Sequence, residues 1–107
     1  MKLIVAIVSN DDATAVSTSL NNENFQVTKL STTGGFLRAG NTTLLIGTED
    51  EKVDHALEII ASESKKRTEI VPSASSYGVN HFASLPIEVQ VGGATIFILD
   101  IEKFIKI

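Results

Sequence analysis

The 107-residue chain contains no cysteine. That removes disulfides, thiol nucleophiles, iron–sulfur clusters and thiolate zinc sites, and it fits an expected cytoplasmic location. Long apolar runs are missing as well. The N-terminal run Leu3-Ile4-Val5-Ala6-Ile7-Val8 ends in Ser9-Asn10-Asp11-Asp12, with no small-residue cleavage site after it, so it reads as a strand and not as a signal peptide. No stretch approaches the roughly 18 apolar residues of a membrane span, and no membrane partner is expected. Basic blocks are also absent. Nine Lys and Arg stand against 13 Asp and Glu, a net charge of −4, which argues against DNA, RNA or an anionic surface as partner, because these are held by clustered cations. A small anion remains compatible, since backbone N–H groups hold one without net positive charge.

The signatures of catalysis are missing too. There is no G-x-S-x-G, H-E-x-x-H, G-x-G-x-x-G or G-K-[ST] pattern. His55 lies off the apolar stripe of its helix and reads as a solvated surface residue. His81 sits in a loop beside Phe82, and neither histidine stands in a metal-ligand spacing. The carboxylates gather at helix N-termini, where capping accounts for them. No catalytic residue, no metal and no cofactor is expected.

What is present suits a single globular domain over residues 1–107: 43% of the residues are hydrophobic and 21% charged. Residues 3–8 read as a buried strand. Ser9 or Asn10 caps a helix that opens with Asp11-Asp12 and turns Ala13, Val16 and Leu20 to one face. Strands follow over 25–31 and 42–47. Thr48 and Glu51 have capping-box spacing ahead of a second helix with Val53, Ala56, Leu57 and Ile60 on one side, and Lys65, Lys66 and Arg67 at its C-terminal end. Residues 68–71 suggest a short strand, and 72–85 a long polar loop of the kind that compact domains seldom keep without a use. Pro86 to Val91 alternates as a strand, Gly92-Gly93 predicts a two-residue hairpin turn, and Ala94 to Leu99 returns as a strand. Asp100 is placed to cap a last helical turn carrying Ile101, Phe104 and Ile105. The order is β-α-β-β-α-β plus an extra C-terminal hairpin strand, a ferredoxin-like α+β plan. Two helices cover one face of such a sheet, yet residues 3–8, 44–46 and 94–99 are apolar on both faces, so a homo-oligomer is expected to bury the other.

The link over residues 32–41 carries the most chemistry. Thr32, Thr33, Gly34 and Gly35 combine hydroxyls with open backbone N–H groups that a phosphate can approach. Phe36 and Leu37 follow directly, and an exposed Phe can stack on a nucleobase for about 1–3 kcal/mol. Asn41 carries the donor and acceptor pair that matches an adenine edge. On spacing alone the plainer reading carries more weight: Phe36 and Leu37 plug the core, and the glycines turn the chain.

The block Thr28-Lys29-Leu30-Ser31-Thr32-Thr33-Gly34-Gly35-Phe36-Leu37-Arg38-Ala39-Gly40-Asn41-Thr42-Thr43, with Val89-Gln90-Val91-Gly92-Gly93-Ala94-Thr95, closely resembles the PII-like cyclic di-AMP receptors of Gram-positive bacteria. The opening residues 1–8 fit as well, so the likeness spans essentially the whole chain. The resemblance implies a homotrimer with a ferredoxin-like core that binds cyclic di-AMP in clefts between subunits, signals without catalysis, and passes the signal to a downstream protein that the resemblance does not identify. By position it implies ligand contacts at Gln26, Val27, Thr28, Gly35, Phe36, Leu37, Asn41 and Gly47, with Gly92 in the matching turn. Two departures stand out. The family usually has Arg at position 26, so Gln26 weakens the attraction to a dianion, for which Lys29 or Arg38 can compensate in part. The 72–85 loop is shorter than its family counterpart. Two other readings compete: a nitrogen-regulatory PII-type protein binding ATP, which carries a much longer loop than residues 32–41 allow, and a small ferredoxin-like enzyme with interfacial active sites, for which the acid–base groups are wanting.

Overall fold

The computed structural model describes residues 1–30, 40–72 and 86–107. Gly35, Phe36, Leu37, Arg38, His81 and most of the polar loop lie outside these described residues. Strand β1 (Lys2–Ser9) leads directly into helix α1 (Asn10–Asn22); strands β2 (Val27–Leu30) and β3 (Asn41–Thr48) follow, then helix α2 (Val53–Glu63) and strands β4 (Arg67–Pro72), β5 (Pro86–Val91) and β6 (Ala94–Asp100). The result is a mixed α/β fold. Four strands form an antiparallel sheet in the order β2-β3-β1-β6, and β4 pairs with β5 in a separate two-stranded ribbon.

β1 is the central strand, and its register with β3 sets the core. Ile4 faces Ile46, Ala6 faces Leu44 and Val8 faces Thr42. These side chains are buried together with Ala13, Val16 and Leu20 of α1 and Ala56 and Ile60 of α2. Side chains alternate across a strand, so Leu3, Val5 and Ile7 point to the opposite face, beside Leu45 of β3 and Phe97 and Leu99 of β6. No element among the described residues covers that second face. Leu3, Val5, Ile7 and Leu45 are half-buried by their own neighbours, while Phe97 and Leu99 are 55% and 48% exposed.

Four local expectations are corrected. The strand expected over 25–31 is confined to Val27–Leu30 in its described part. Phe25 drops into the core, its N–H bonded to the Leu20 carbonyl at 3.0 Å after Asn24 takes a positive φ of 68°. The capping box does not form. Thr48 is buried as the last residue of β3, and α2 is entered through a 3-10 turn, Asp50–Lys52, in which the Lys52 N–H bonds the Glu49 carbonyl at 3.0 Å. Burial in the strand wins Thr48 from the helix. The final helical turn is also absent. The Ile101 N–H bonds the Met1 carbonyl at 3.1 Å, which prolongs the β6–β1 ladder and keeps the chain extended past Asp100.

The largest correction concerns Gly92-Gly93. Both residues have positive φ, 89° and 83°, as a two-residue hairpin turn requires, but β5 and β6 do not pair: β5 lies on β4 and β6 on β1. The pair carries the chain from one sheet to the other. The Gly93 N–H bonds the Ser64 carbonyl at the end of α2, and a Cβ on Gly92 would collide with the Lys65 carbonyl. Arg67 closes the same junction. Its Nη2 donates to Asp12 Oδ1 at 2.8 Å and its Nη1 to the Lys65 carbonyl at 3.1 Å. The basic residue expected to complement the C-terminal end of α2 thus bonds the first turn of α1.

Two predictions follow from this junction. Gly92→Ala should destabilise more than Gly93→Ala in urea unfolding. Both incur about 1–3 kcal/mol of left-handed strain, but only Gly92 adds a collision with backbone, whereas Gly93 meets the movable Lys66 side chain. Asp12→Ala should cost about 1.5–3 kcal/mol by the same measurement, the range for hydrogen bonds to a charged partner. The value stays below that of a fully buried pair because the Arg67 side chain is 39% exposed although Asp12 is only 7% exposed.

Candidate functional site

The start of β3 and the end of β5 meet the first turn of α1 in a recess of about 230 Å³. Asn41, Gly92, Asn10 and Asp11 line it. Its walls are held by one backbone and one side-chain bond: the Asn10 N–H donates to the Gly40 carbonyl at 3.0 Å, and Thr42 Oγ1 donates to Asn10 Oδ1 at 2.5 Å. Asn41 is exposed at the head of β3, so its amide is presented outward. Two residues that the sequence pattern names separately, Asn41 and Gly92, are thus brought together. Asn10 and Asp11 join them; sequence reading missed these because their spacing shows only a helix start.

A second recess, of about 240 Å³, lies at the opposite end of β3. Gln26, Gly47, Lys52 and Phe104 line it, with Met1 and Glu49. Gly47 is half-buried, and a Cβ there would reach Met1 Cε and Ile101 Cδ1 at 4.0 Å. Gln26 is exposed, and its Oε1 accepts a hydrogen bond from Lys106 Nζ at 3.3 Å. Thr28 stands exposed on the uncovered sheet face opposite Leu45. Val27 turns the other way and packs against the core, leaving its backbone as the group available to a ligand.

The two recesses differ in charge. Asp11 is the charged residue in the described lining of the Asn41 recess, and Lys66 lines the adjoining recess that shares Asn41 and Gly92. At the Gln26 recess several cations gather, but two already have anionic partners. The Met1 ammonium is bonded to Asp50 at 2.9 Å, which raises the pKa of the amine and lowers that of the carboxyl. Lys2 is bonded to Asp100, which holds its ammonium above the usual lysine range. Lys29, the compensating cation suggested by the sequence, pairs with Leu44 on the core-side register of β2; Arg38 lies outside the described residues. His55 is exposed, as expected, with Nε2 at 2.9 Å from Glu23 Oε1 and its ring against Phe25. Among the described residues no group of three or more His, Asp or Glu could hold a metal ion, and no helix is long and apolar enough to cross a membrane.

Asn41 and Gly47 are six residues apart on one strand, about 20 Å at the rise of an antiparallel strand. The expected contacts therefore form two clusters, Asn41 with Gly92 at one end of the sheet and Gln26 with Gly47 at the other. Each recess is smaller than the roughly 300–1,000 Å³ that encloses a drug-sized ligand.

Comparison with known proteins agrees in fold and in family. A structure described as a functionally unknown protein from Pediococcus pentosaceus ATCC 25745 is 43% identical, covers 99% of this chain and 96% of its own, and superposes with a TM-score of 0.74. The family model described as Cyclic-di-AMP receptor matches residues 1–107, the whole chain. With a chain-long match to that model, this protein belongs to the cyclic-di-AMP receptor family.

Proposed function

We propose that this protein is a non-catalytic receptor for cyclic di-AMP, acting in the cytoplasm as a ferredoxin-like, PII-like homotrimer whose three ligand sites lie between neighbouring subunits. The observation that carries the reading is the split of the candidate contacts between opposite ends of β3, combined with the uncovered apolar face between them. One chain offers two shallow half-sites about 20 Å apart. Copies related by a rotation bring the Asn41 end of one chain against the Gln26 end of the next, which completes one site per chain. The strand order β2-β3-β1-β6, with every neighbour antiparallel, supports the ferredoxin-like arrangement, with the β4–β5 ribbon inserted ahead of the last strand.

Roles follow from the chemistry of each end. At one end the Asn41 amide reads an adenine edge with its donor and acceptor, and Gly92 lets the backbone approach closely. Gly35, Phe36 and Leu37, in the link that precedes Asn41, would supply N–H groups to a phosphate and an apolar wall to the base. At the other end Gln26, the Val27 backbone, Thr28 and Gly47 take the sugar–phosphate side. A receptor of this kind holds and releases the ligand unchanged, and ligand-dependent surfaces then present it to a downstream protein.

Titration calorimetry should give one cyclic di-AMP per chain, with cyclic di-GMP and ATP as weaker comparators. Because the ligand binds only the folded state, at one hundred times its dissociation constant it should stabilise the protein by about 2.7 kcal/mol, read as a raised melting temperature. No thermal shift at saturating cyclic di-AMP would remove the reading. Phe97→Glu tests the assembly. Phe97 is exposed in one chain, so the fold should survive while light scattering reports a monomer and binding is lost. A Phe97→Glu protein that remains trimeric would mean that the apolar sheet face is not the centre of the assembly.

A further inference from the structure

The C-terminal segment after β6 is anchored by the Ile101 N–H bond to Met1, and from there it follows the edge of the Gln26 recess. Phe104 forms part of the recess wall, and Lys106 reaches Gln26 with its ammonium 3.3 Å from the amide oxygen. Cyclic di-AMP carries two phosphodiester charges, and the protein as a whole carries −4, so a local cation adds to what backbone N–H groups supply by offsetting the general repulsion. Gln26 cannot supply one. Of the neighbouring cations, Met1 and Lys2 are each neutralised by a carboxylate, Asp50 and Asp100, and Lys52 lines the recess. It is the Lys106 ammonium that contacts Gln26, a neutral amide that leaves its charge uncompensated among the described residues.

We propose that Lys106, carried on the C-terminal segment and steadied by the Gln26 side chain, is the phosphate-binding cation at this end of the ligand site; the assignment rests on the reading of the protein as a cyclic di-AMP receptor. Gln26 orients the ammonium by accepting one of its three N–H bonds, and the remaining two are open to a phosphate oxygen. The amide nitrogen of Gln26 adds a neutral donor beside it. The glutamine and the lysine together thus do what a single arginine would do at position 26, with the charge delivered from a residue 80 positions away in the chain.

The test is titration of cyclic di-AMP into wild type, Lys106→Gln and Lys103→Gln across a salt series, with melting temperatures confirming the fold. Lys103 lies on the same exposed segment, so both substitutions change the net charge equally. Lys106→Gln should weaken binding about three- to tenfold, the difference between a charged and a neutral hydrogen bond, and should flatten the dependence on salt. Lys103→Gln should do neither. Adding Gln26→Arg to Lys106→Gln should restore both the affinity and the salt dependence, while Gln26→Arg alone should gain little because two cations then crowd one phosphate. If Lys106→Gln binds as wild type with an unchanged salt slope, Lys106 is not the phosphate cation, although the receptor reading stands. If wild type binds no cyclic di-AMP, the receptor reading falls, and this assignment falls with it.

Discussion

The pairing of β1 on both of its edges is the constraint on which the rest of the molecule depends. β3 lies along one side and β6 along the other, so a strand that is apolar on both faces is fixed in register at the middle of the sheet. A slip of one residue would exchange Ile4, Ala6 and Val8 for Leu3, Val5 and Ile7 beneath the helices. Both sets are hydrophobic, so the strand's own pattern does not forbid the slip. The choice is made by its neighbour β3, whose buried face carries Leu44 and Ile46 between Thr42 and Thr48. Once that register is set, one face is filled by two helices and the other stays open. In the proposed assembly it is this open face that draws copies of the chain together and makes two distant half-sites whole.

The ends of β3 inherit their positions from the same pairing. Asn41 stands opposite Ser9, where β1 hands over to α1, so its amide is held beside a helix start. Gly47 stands opposite Leu3, where β1 begins and the C-terminal segment returns across Met1. The junction at Gly92 lies at the Asn41 end. Asp12 and Arg67 fasten α1 to the root of the β4–β5 ribbon, and Gly92 passes close to the Lys65 carbonyl, with the end of β5 next to Asn41.

Much of this was legible in the sequence, and the failures have physical causes. Ala13, Val16 and Leu20 announce the buried stripe of α1, and Ala56 and Ile60 that of α2, because helical spacing is a local property. The surplus of apolar residues on the strands announces an uncovered face. What local pattern could not decide was competition. Thr48 satisfies a capping box and a buried strand end equally well in one dimension, and pairing with Lys2 of β1 decides for the strand. Gly92-Gly93 satisfies a hairpin turn and a crossing between sheets, and only the Ser64 and Lys65 carbonyls distinguish them. Asp100 satisfies a helix cap and a strand end, and the ladder to Met1 prevails. The contact of Lys106 with Gln26 had no sequence signal at all, because the two residues lie 80 positions apart in the chain.

The central claim is that each ligand site is built from the Asn41 end of one chain and the Gly47 end of another, and subunit mixing tests it most directly. Asn41→Ala impairs one half-site and Gly47→Glu the other, so each variant alone should bind cyclic di-AMP poorly. Unfolded together in equal amounts and refolded, they should form mixed assemblies in which about one cleft in four joins two intact ends, as expected for a head-to-tail interface between randomly chosen subunits. Calorimetry should then recover tight binding at about that fraction of the wild-type stoichiometry. Mixed assemblies that recover no tight binding, although wild type treated in the same way does, would place both ends of the site within a single chain and contradict the account.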